Sequence, residues 1–116
     1  ILLVEDDTEV GDLVAMMLED LNHQVFRADG APAYARFMAS GQAIDLLITD
    51  LIMPGDKTGV DLAHDAVTAR PGLPVILSSG YTGEALASAD GAPWPLLRKP
   101  YAADDLAQAI LDVMTG

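Results

Sequence analysis

The chain has 116 residues, with 18 acidic and 6 basic side chains and a formal net charge of −12. This length suits one domain, and the negative charge disfavours binding to nucleic acid or to an anionic membrane surface. The lack of cysteine excludes a disulfide framework, thiolate metal sites and thiol catalysis. The apolar runs are far shorter than a membrane span, and we expect no signal peptide and a cytoplasmic protein.

The chain opens directly on an apolar run without an initiator methionine, so we expect residues 1–116 to be one domain of a longer protein. Short, mostly aliphatic runs predict strands that are covered on both faces. In chain order these strands are Ile1–Val4, Gln24–Arg27, Leu46–Thr49, Val75–Leu77 and Leu96–Leu97.

The segments between the strands carry apolar residues at helical spacing. In the first helix, one buried face is predicted at Val10, Leu13, Val14, Met17, Leu18 and Leu21. The second helix is predicted around Tyr34–Met38, the third around Leu62–Val67, a short fourth near Gly83–Ser88 and the fifth around Leu106–Val113. Alternating strands and helices imply an α/β fold with a parallel sheet, helices on both faces and right-handed crossovers.

Functional groups in such a sheet collect beyond the carboxyl ends of the strands. Here those ends carry Glu5-Asp6-Asp7, Asp50, Ser78-Ser79-Gly80 and Arg98-Lys99-Pro100. Clustered carboxylates repel one another unless a cation joins them, and oxygen ligands with room for water suit Mg²⁺. A carboxylate can also attack phosphorus and become an acyl phosphate, while a lysine and a hydroxyl hold the other phosphoryl oxygens.

Each of these residues also has an ordinary structural interpretation. Single Asp and Ser residues after strands are usually helix caps or turn residues, and we expect Thr8, more than Asp7, to cap the first helix. Lys99-Pro100 alone would be an ordinary loop. Matching chemistry at all four strand ends favours the functional interpretation.

With these motifs the sequence resembles the receiver domains of response regulators over essentially its whole length. The matching segments are Ile1–Asp7, Leu47–Pro54, Leu77–Gly80 and Lys99–Tyr101. The resemblance implies a flavodoxin-like, doubly wound sheet of five parallel strands in the order 2-1-3-4-5. It also implies a signalling domain that is not an enzyme in its own right, beyond self-phosphorylation from a donor and slow autodephosphorylation.

The resemblance assigns roles to individual residues. Asp50 is expected to accept the phosphoryl group, Ser79 to be the switch hydroxyl, and Lys99 to pair with Asp50 and then with the phosphoryl oxygens. The expected cofactor is Mg²⁺, with Mn²⁺ as a substitute, bound directly by Asp6 and Asp50 and largely through water by Glu5. The backbone carbonyl of Ile52 completes the expected protein ligands, and a cis Lys99–Pro100 bond would aim the lysine at the site.

Three features of the sequence distinguish it from other receivers or affect its expected chemistry. Leu96 stands at the aromatic switch position, so a swinging ring cannot report movement of Ser79. The loop from Gly55 to Thr58 is one residue longer than in many receivers, and this resembles receivers of hybrid sensor histidine kinases. Ile52 and Tyr81, at the positions that influence attack of water, predict slow loss of the phosphoryl group.

The expected partner is a histidine kinase or a histidine phosphotransfer domain, with a homodimer as a further option and no nucleic acid or membrane contact by this domain. By resemblance, the partner docks over the start of the first helix, where Asp7, Gly11 and Val14 line the surface with the segment after Pro100. Close approach of the partner would explain a glycine at position 11, which is otherwise unfavourable in a helix.

Three alternative functions compete with that of a phosphorylated receiver domain. A degenerate receiver would bind proteins without phosphorylation, but every position of the acidic site is filled. A haloacid-dehalogenase-like phosphatase needs a second acid two residues after its nucleophile, and Asp50-Leu51-Ile52 lacks it. A dinucleotide-binding domain needs the spacing Gly-x-Gly, which does not occur here.

Overall fold

The computed structural model describes residues 1–51, 58–79, 94–99 and 101–115. In this part of the chain, five parallel strands form one sheet with the order β2-β1-β3-β4-β5, which confirms the predicted topology. The elements are β1 (Leu2–Val4), α1 (Thr8–Asp20), β2 (Phe26–Ala28), α2 (Ala31–Ala39), β3 (Leu47–Asp50), α3 (Gly59–Ala69), β4 (Val75–Ser79), β5 (Leu96–Arg98) and α4 (Ala103–Thr115). The predicted short helix near Gly83–Ser88 lies outside the described residues.

Alternate residues along the central strands serve the two faces of the sheet. Leu2, Val4 and Leu47 belong to a cluster that packs beneath α2 and α3. Leu3 and Ile48 belong to a second cluster beneath α1 and α4. Helices therefore cover both faces, as predicted for a doubly wound fold. None of the helices in the described ranges is long and apolar enough to cross a bilayer.

Backbone pairing, rather than the apolar pattern, determines where the strands begin and end. The second strand was predicted two residues too early, because Phe26, not Gln24, pairs with Leu2 of β1. At the other end, β3 and β4 run past their apolar residues, since Asp50 pairs with Ser78. The polar residues at these ends are therefore held by the sheet itself rather than by loops.

Local capping residues fix the helix starts. The side chain of Asp7 accepts hydrogen bonds from the backbone N–H groups of Glu9 (3.0 Å) and Val10 (3.2 Å), so Asp7 caps α1 and the expectation for Thr8 was wrong. Thr58 and Asp61 form a reciprocal capping box at the start of α3. Asp7 can cap because it directly precedes the first helical residue and its carboxylate reaches forward to the free N–H groups of the first turn.

The buried stripe of α1 is also rotated from its prediction. It runs through Gly11, Val14, Ala15 and Leu18, whereas Leu13 is 56% exposed. Small residues at 11 and 15 still follow the i, i+4 spacing, but a pattern based on large apolar side chains misses them. Leu13 is therefore available at the surface, and Val14 is not.

Candidate functional site

The carboxyl edge of the sheet brings the predicted acidic residues together. Asp50 is the last residue of β3, and Glu5 and Asp6 directly follow β1, the neighbouring strand. One carboxylate oxygen from each of the three lies within 4.8 Å of the others. Glu5 and Asp50 are buried, at 6% and 5% exposure, while Asp6 is exposed. Such a cluster is open on one side and buried on the other.

The backbone around Asp50 is held tightly. The N–H of Leu51 donates to the carbonyl of Ser78 (2.7 Å), and the N–H of Gly59 donates to the carbonyl of Leu51 (2.8 Å). A Cβ on Gly59 would lie against the carbonyl oxygen of Asp50 and only 2.9 Å from the Cα of Leu51. Glycine at position 59 therefore lets α3 begin directly against the end of β3, which keeps Asp50 in a fixed position.

Lys99 joins the cluster from the far strand. Its backbone N–H donates to the carbonyl of Ser79 (2.8 Å), and its Nζ forms ion pairs with Glu5 Oε1 and, at 3.4 Å, with Asp50 Oδ1. The family resemblance predicted the pair with Asp50. It did not predict the closer pair with Glu5, which places Glu5 in contact with the lysine as well as in the acidic cluster. One cation therefore serves two buried carboxylates.

The electrostatics of the site follow from this shortage of positive charge. Burial, together with the negative charge of Glu5, raises the pKa of Asp50 to about 7 from its ordinary 3.8, although Lys99 opposes the rise. For Lys99, burial alone would lower the pKa, but the hydrogen bond to Glu5 and the charges of Asp50 and Glu5 outweigh burial and raise it. Asp50 is thus a carboxylate whose negative charge is under-compensated.

The donor set fits a small oxygen-liganded cation. Asp50 Oδ1 is buried and, within the described ranges, accepts no hydrogen bond. Its partner is the Lys99 ammonium at 3.4 Å, which also pairs with Glu5, so a further cation beside Oδ1 would lower the cost of its burial. Three carboxylates around such an atom, with one exposed side left for water, offer the all-oxygen environment that Mg²⁺ prefers.

Of the other predicted site residues, some lie in the described part of the chain and some lie outside it. Ser79 is buried at the end of β4, next to the edge where Lys99 lies. Leu96 is half-buried in β5, and Trp94 two residues earlier packs its ring edge-on against His64, with centroids 4.8 Å apart. The carbonyl of Ile52, the ring of Tyr81 and the bond from Lys99 to Pro100 lie outside the described residues.

The expected role of Gly11 in partner docking was wrong. Gly11 is buried, and a Cβ there would lie on the guanidinium of Arg27, with 3.1 Å to its Cζ. Val14 is only 3% exposed and offers a docking partner little surface of its own. The sequence carries no periodic signal for Arg27, because it lies 16 positions from Gly11 on a different element.

Comparisons with known proteins agree with this geometry. A sequence model of the family described as the response regulator receiver domain matches residues 1–111. The chain is 33% identical over 78 residues to the probable transcriptional regulatory protein TcrX of Mycobacterium tuberculosis, covering 66% of this chain and 32% of that protein. It is 34% identical over 80 residues to the uncharacterized transcriptional regulatory protein YbdJ of Bacillus subtilis, covering 68% and 34%. The chain thus spans about a third of the length of these curated relatives.

Solved structures are similar over nearly the whole chain. The receiver domain of NtrX from Brucella abortus superposes with a TM-score of 0.84 at 28% identity, covering 98% of this chain and 97% of that one. A response regulator receiver domain protein from Clostridium thermocellum gives a TM-score of 0.82 at 28% identity, covering 98% and 92%.

Proposed function

Since this chain belongs to the family of response regulator receiver domains, we propose that it accepts a phosphoryl group on Asp50 from a phosphohistidine donor, in a reaction that depends on Mg²⁺. We further propose that phosphorylation switches its conformation within a phosphorelay. The observation that carries the proposal is the buried Asp50 carboxylate, whose Oδ1 accepts no hydrogen bond in the described ranges and forms a 3.4 Å ion pair with Lys99.

The proposed chemistry needs no group besides the donor, the cation and this site. A carboxylate oxygen of Asp50 forms a bond to phosphorus while the N–P bond of phosphohistidine breaks, and its electron pair returns to the imidazole nitrogen. Lys99 then pairs with a phosphoryl oxygen, and the hydroxyl of Ser79 donates to another. Phosphorylation therefore gives both residues a new partner, and this change is the proposed origin of the switch.

The cation belongs to the acidic cluster. Asp6 and Asp50 are the proposed direct ligands, Glu5 acts largely through water, and the carbonyl of Ile52 completes the protein ligands. When bound, Mg²⁺ supplies positive charge that offsets the carboxylates and the incoming phosphoryl oxygens. Because Glu5 already pairs with Lys99, its carboxylate links the lysine to the cluster. Mn²⁺ is expected to substitute.

Labelling with acetyl phosphate tests this proposal without requiring the natural donor. Intact-mass measurement should show a phosphoryl adduct on the wild type in the presence of Mg²⁺, and none after chelation with EDTA. Asp50→Asn should show no adduct, because the amide is a poor nucleophile. Equal labelling of both proteins would refute the role of Asp50. A folded wild type that is never labelled would instead favour a binding module that works without phosphorylation.

The partner is proposed to be a histidine kinase or a histidine phosphotransfer domain. A mostly apolar groove of about 120 Å³ lies beside the site, lined by Val10, Leu13, Val14, Met17, Lys99 and Tyr101. Leu13 projects from its rim with 56% exposure. An apolar groove that ends at the reactive lysine offers a partner helix a docking position that brings its phosphohistidine to Asp50.

Leu13→Asp tests this docking surface, and Leu111→Asp on α4 is its matched control because Leu111 is 55% exposed. Replacing an exposed apolar contact by a charge should weaken docking by about 10-fold, so transfer from the cognate phosphohistidine donor should fall for Leu13→Asp. Labelling by acetyl phosphate should not change in either variant. Equal loss of transfer in both variants would show that the groove is not the docking site.

A further proposal concerns the longer protein to which this domain belongs. We propose that residues 1–116 are one domain of a longer chain, because the matched segments cover only 32% and 34% of the two curated relatives. A hybrid histidine kinase remains the proposed parent on the basis of the loop from Gly55 to Thr58, although both relatives are described as transcriptional regulatory proteins. The expected slow loss of the phosphoryl group depends on Ile52 and Tyr81 and is likewise a prediction.

A further inference from the structure

Arg27 occupies the place of a side chain that Gly11 lacks. Gly11 lies on α1 and is buried, while Arg27 extends from β2 at the edge of the sheet. A Cβ built on Gly11 would lie against Nη2 of Arg27 and 3.1 Å from its Cζ. The guanidinium is therefore seated on the helix surface itself, where any larger residue at position 11 would displace it.

From this position on the surface of α1, Arg27 makes two contacts with the first turns of the helix. Its Nη1 forms an ion pair with the carboxylate of Asp12, and its Nη2 donates to the carbonyl oxygen of Thr8 at 3.4 Å. The side chains of Arg27 and Asp12 are 37% and 62% exposed, and ion pairs this exposed add little to stability. The contact instead fixes where the start of α1 lies relative to β2.

The start of α1 is connected directly to the acidic cluster. Asp7 caps the helix through Glu9 and Val10, and the backbone N–H of Asp7 donates to Oε2 of Glu5 at 3.3 Å. Glu5 in turn pairs with Lys99 through its other oxygen. In the chain, Asp6 lies between Glu5 and Asp7. A shift of the first helical turn therefore moves the backbone that carries both Glu5 and Asp6.

We propose that Arg27 is a positioning residue for the acidic cluster. It acts by packing against Gly11 and by its contacts with Asp12 and Thr8. The inference rests on the proposed Mg²⁺ site and adds a residue that holds two of its carboxylates in place without contacting the ion. Residues that orient metal ligands typically change metal affinity by about 10- to 100-fold when they are mutated, although they leave the ligands themselves intact.

Two variants test the contact between Arg27 and Gly11, one by changing Arg27 and the other by changing Gly11. Arg27→Ala removes the guanidinium, whereas Gly11→Ala keeps every charge and places a methyl group where the guanidinium sits. Both should weaken Mg²⁺ binding about 10-fold by calorimetry, at the lower end of the range for residues that orient ligands. In the metal-free protein, both should speed hydrogen exchange at the amides of Asp7, Glu9 and Val10. Gly11→Ala should nevertheless melt no lower than the wild type, since alanine favours the helix.

Because Arg27→Ala and Gly11→Ala disrupt the same contact, their effects on Mg²⁺ affinity should not be additive. The double variant should bind Mg²⁺ like Arg27→Ala alone, because the same contact is lost only once. Arg36→Ala is the control for charge, since Arg36 lines the same cavity of about 460 Å³ beside Glu5 but forms no ion pair within the described ranges. It should leave Mg²⁺ affinity and exchange unchanged.

Several results would overturn the inference. They are normal affinity and exchange in Arg27→Ala, an effect of Arg27→Ala without one of Gly11→Ala, or an equal effect of Arg36→Ala. The last two would mean that the charge of the arginine matters rather than its position. If the wild type itself bound no Mg²⁺, the proposed function would fail, and amide exchange in the metal-free protein would still test the role of Arg27.

Discussion

Two polar clusters on this sheet are built in opposite ways. On the face covered by α2 and α3, the hydroxyl of Tyr34 donates to Asp65 Oδ2 at 2.7 Å and lies 3.4 Å from the carbonyl of Leu62. At the carboxyl edge, Glu5 and Asp50 share the single ammonium of Lys99, and Asp50 Oδ1 accepts no hydrogen bond among the described residues. The first cluster is satisfied by its own hydrogen bonds, whereas among the described residues the second has two buried carboxylates for one ammonium.

This difference separates polar groups that stabilise the fold from those that serve a reaction. A satisfied buried hydroxyl contributes modestly and permanently to stability. A carboxylate with a raised pKa costs stability whenever it is ionised, and such groups gather at functional sites. The contrast therefore predicts that changes at Asp50 and at Tyr34 have opposite effects on the free energy of unfolding.

Asp50→Asn should have the larger effect, and it should stabilise the protein. The pKa of Asp50 is about 7 in the folded state against an ordinary 3.8, so the unfolded state ionises first as the pH rises. The wild type therefore loses stability between about pH 4 and pH 7 relative to the variant. At about 1.4 kcal/mol for each tenfold change in acid strength, the gain from Asp50→Asn reaches up to roughly 4 kcal/mol at pH 8.

Urea unfolding of both proteins between pH 4 and pH 8 measures this gain, which should nearly vanish at the acidic end. Mg²⁺ sharpens the comparison, because it should stabilise the wild type by about 2.7 kcal/mol at 100 times its dissociation constant. Asp6→Ala should reduce that response. An Asp50→Asn variant that is less stable than the wild type at pH 8 would contradict the account of the site.

Tyr34→Phe should have the smaller effect, with the opposite sign. Loss of the hydrogen bond to Asp65 should destabilise the protein by about 1 kcal/mol, because the exposed Asp65 can be hydrated in place of its lost partner. The loss should not depend on Mg²⁺, and labelling of Asp50 by acetyl phosphate should stay at the wild-type level. A strong effect on labelling would show that the two clusters are coupled.

The parts of the molecule that could be predicted are those set by local sequence. Asp50, Glu5 and Lys99 each follow or end a short apolar strand, and parallel strands necessarily bring such ends to one edge. The strand order was predicted from the family resemblance, and the sheet confirms it. What the site residues do chemically is still a prediction.

The parts that could not be predicted depend on contacts between distant segments. The start of β2 is set by the pairing of Phe26 with Leu2, which the apolar pattern around Gln24 does not reveal. The close pair of Lys99 with Glu5 joins residues that are 94 positions apart. Gly11 was interpreted as a docking position because nothing near it in the sequence indicates that Arg27 covers it.

The most direct test of the central claim is to locate the phosphoryl group chemically. Wild-type protein is phosphorylated with acetyl phosphate and Mg²⁺, then treated with borohydride, which reduces an acyl phosphate to the alcohol, and then digested and sequenced by mass spectrometry. The account predicts homoserine at position 50 and unaltered aspartate at positions 6 and 7. Homoserine at another acidic residue, with Asp50 intact, would contradict it.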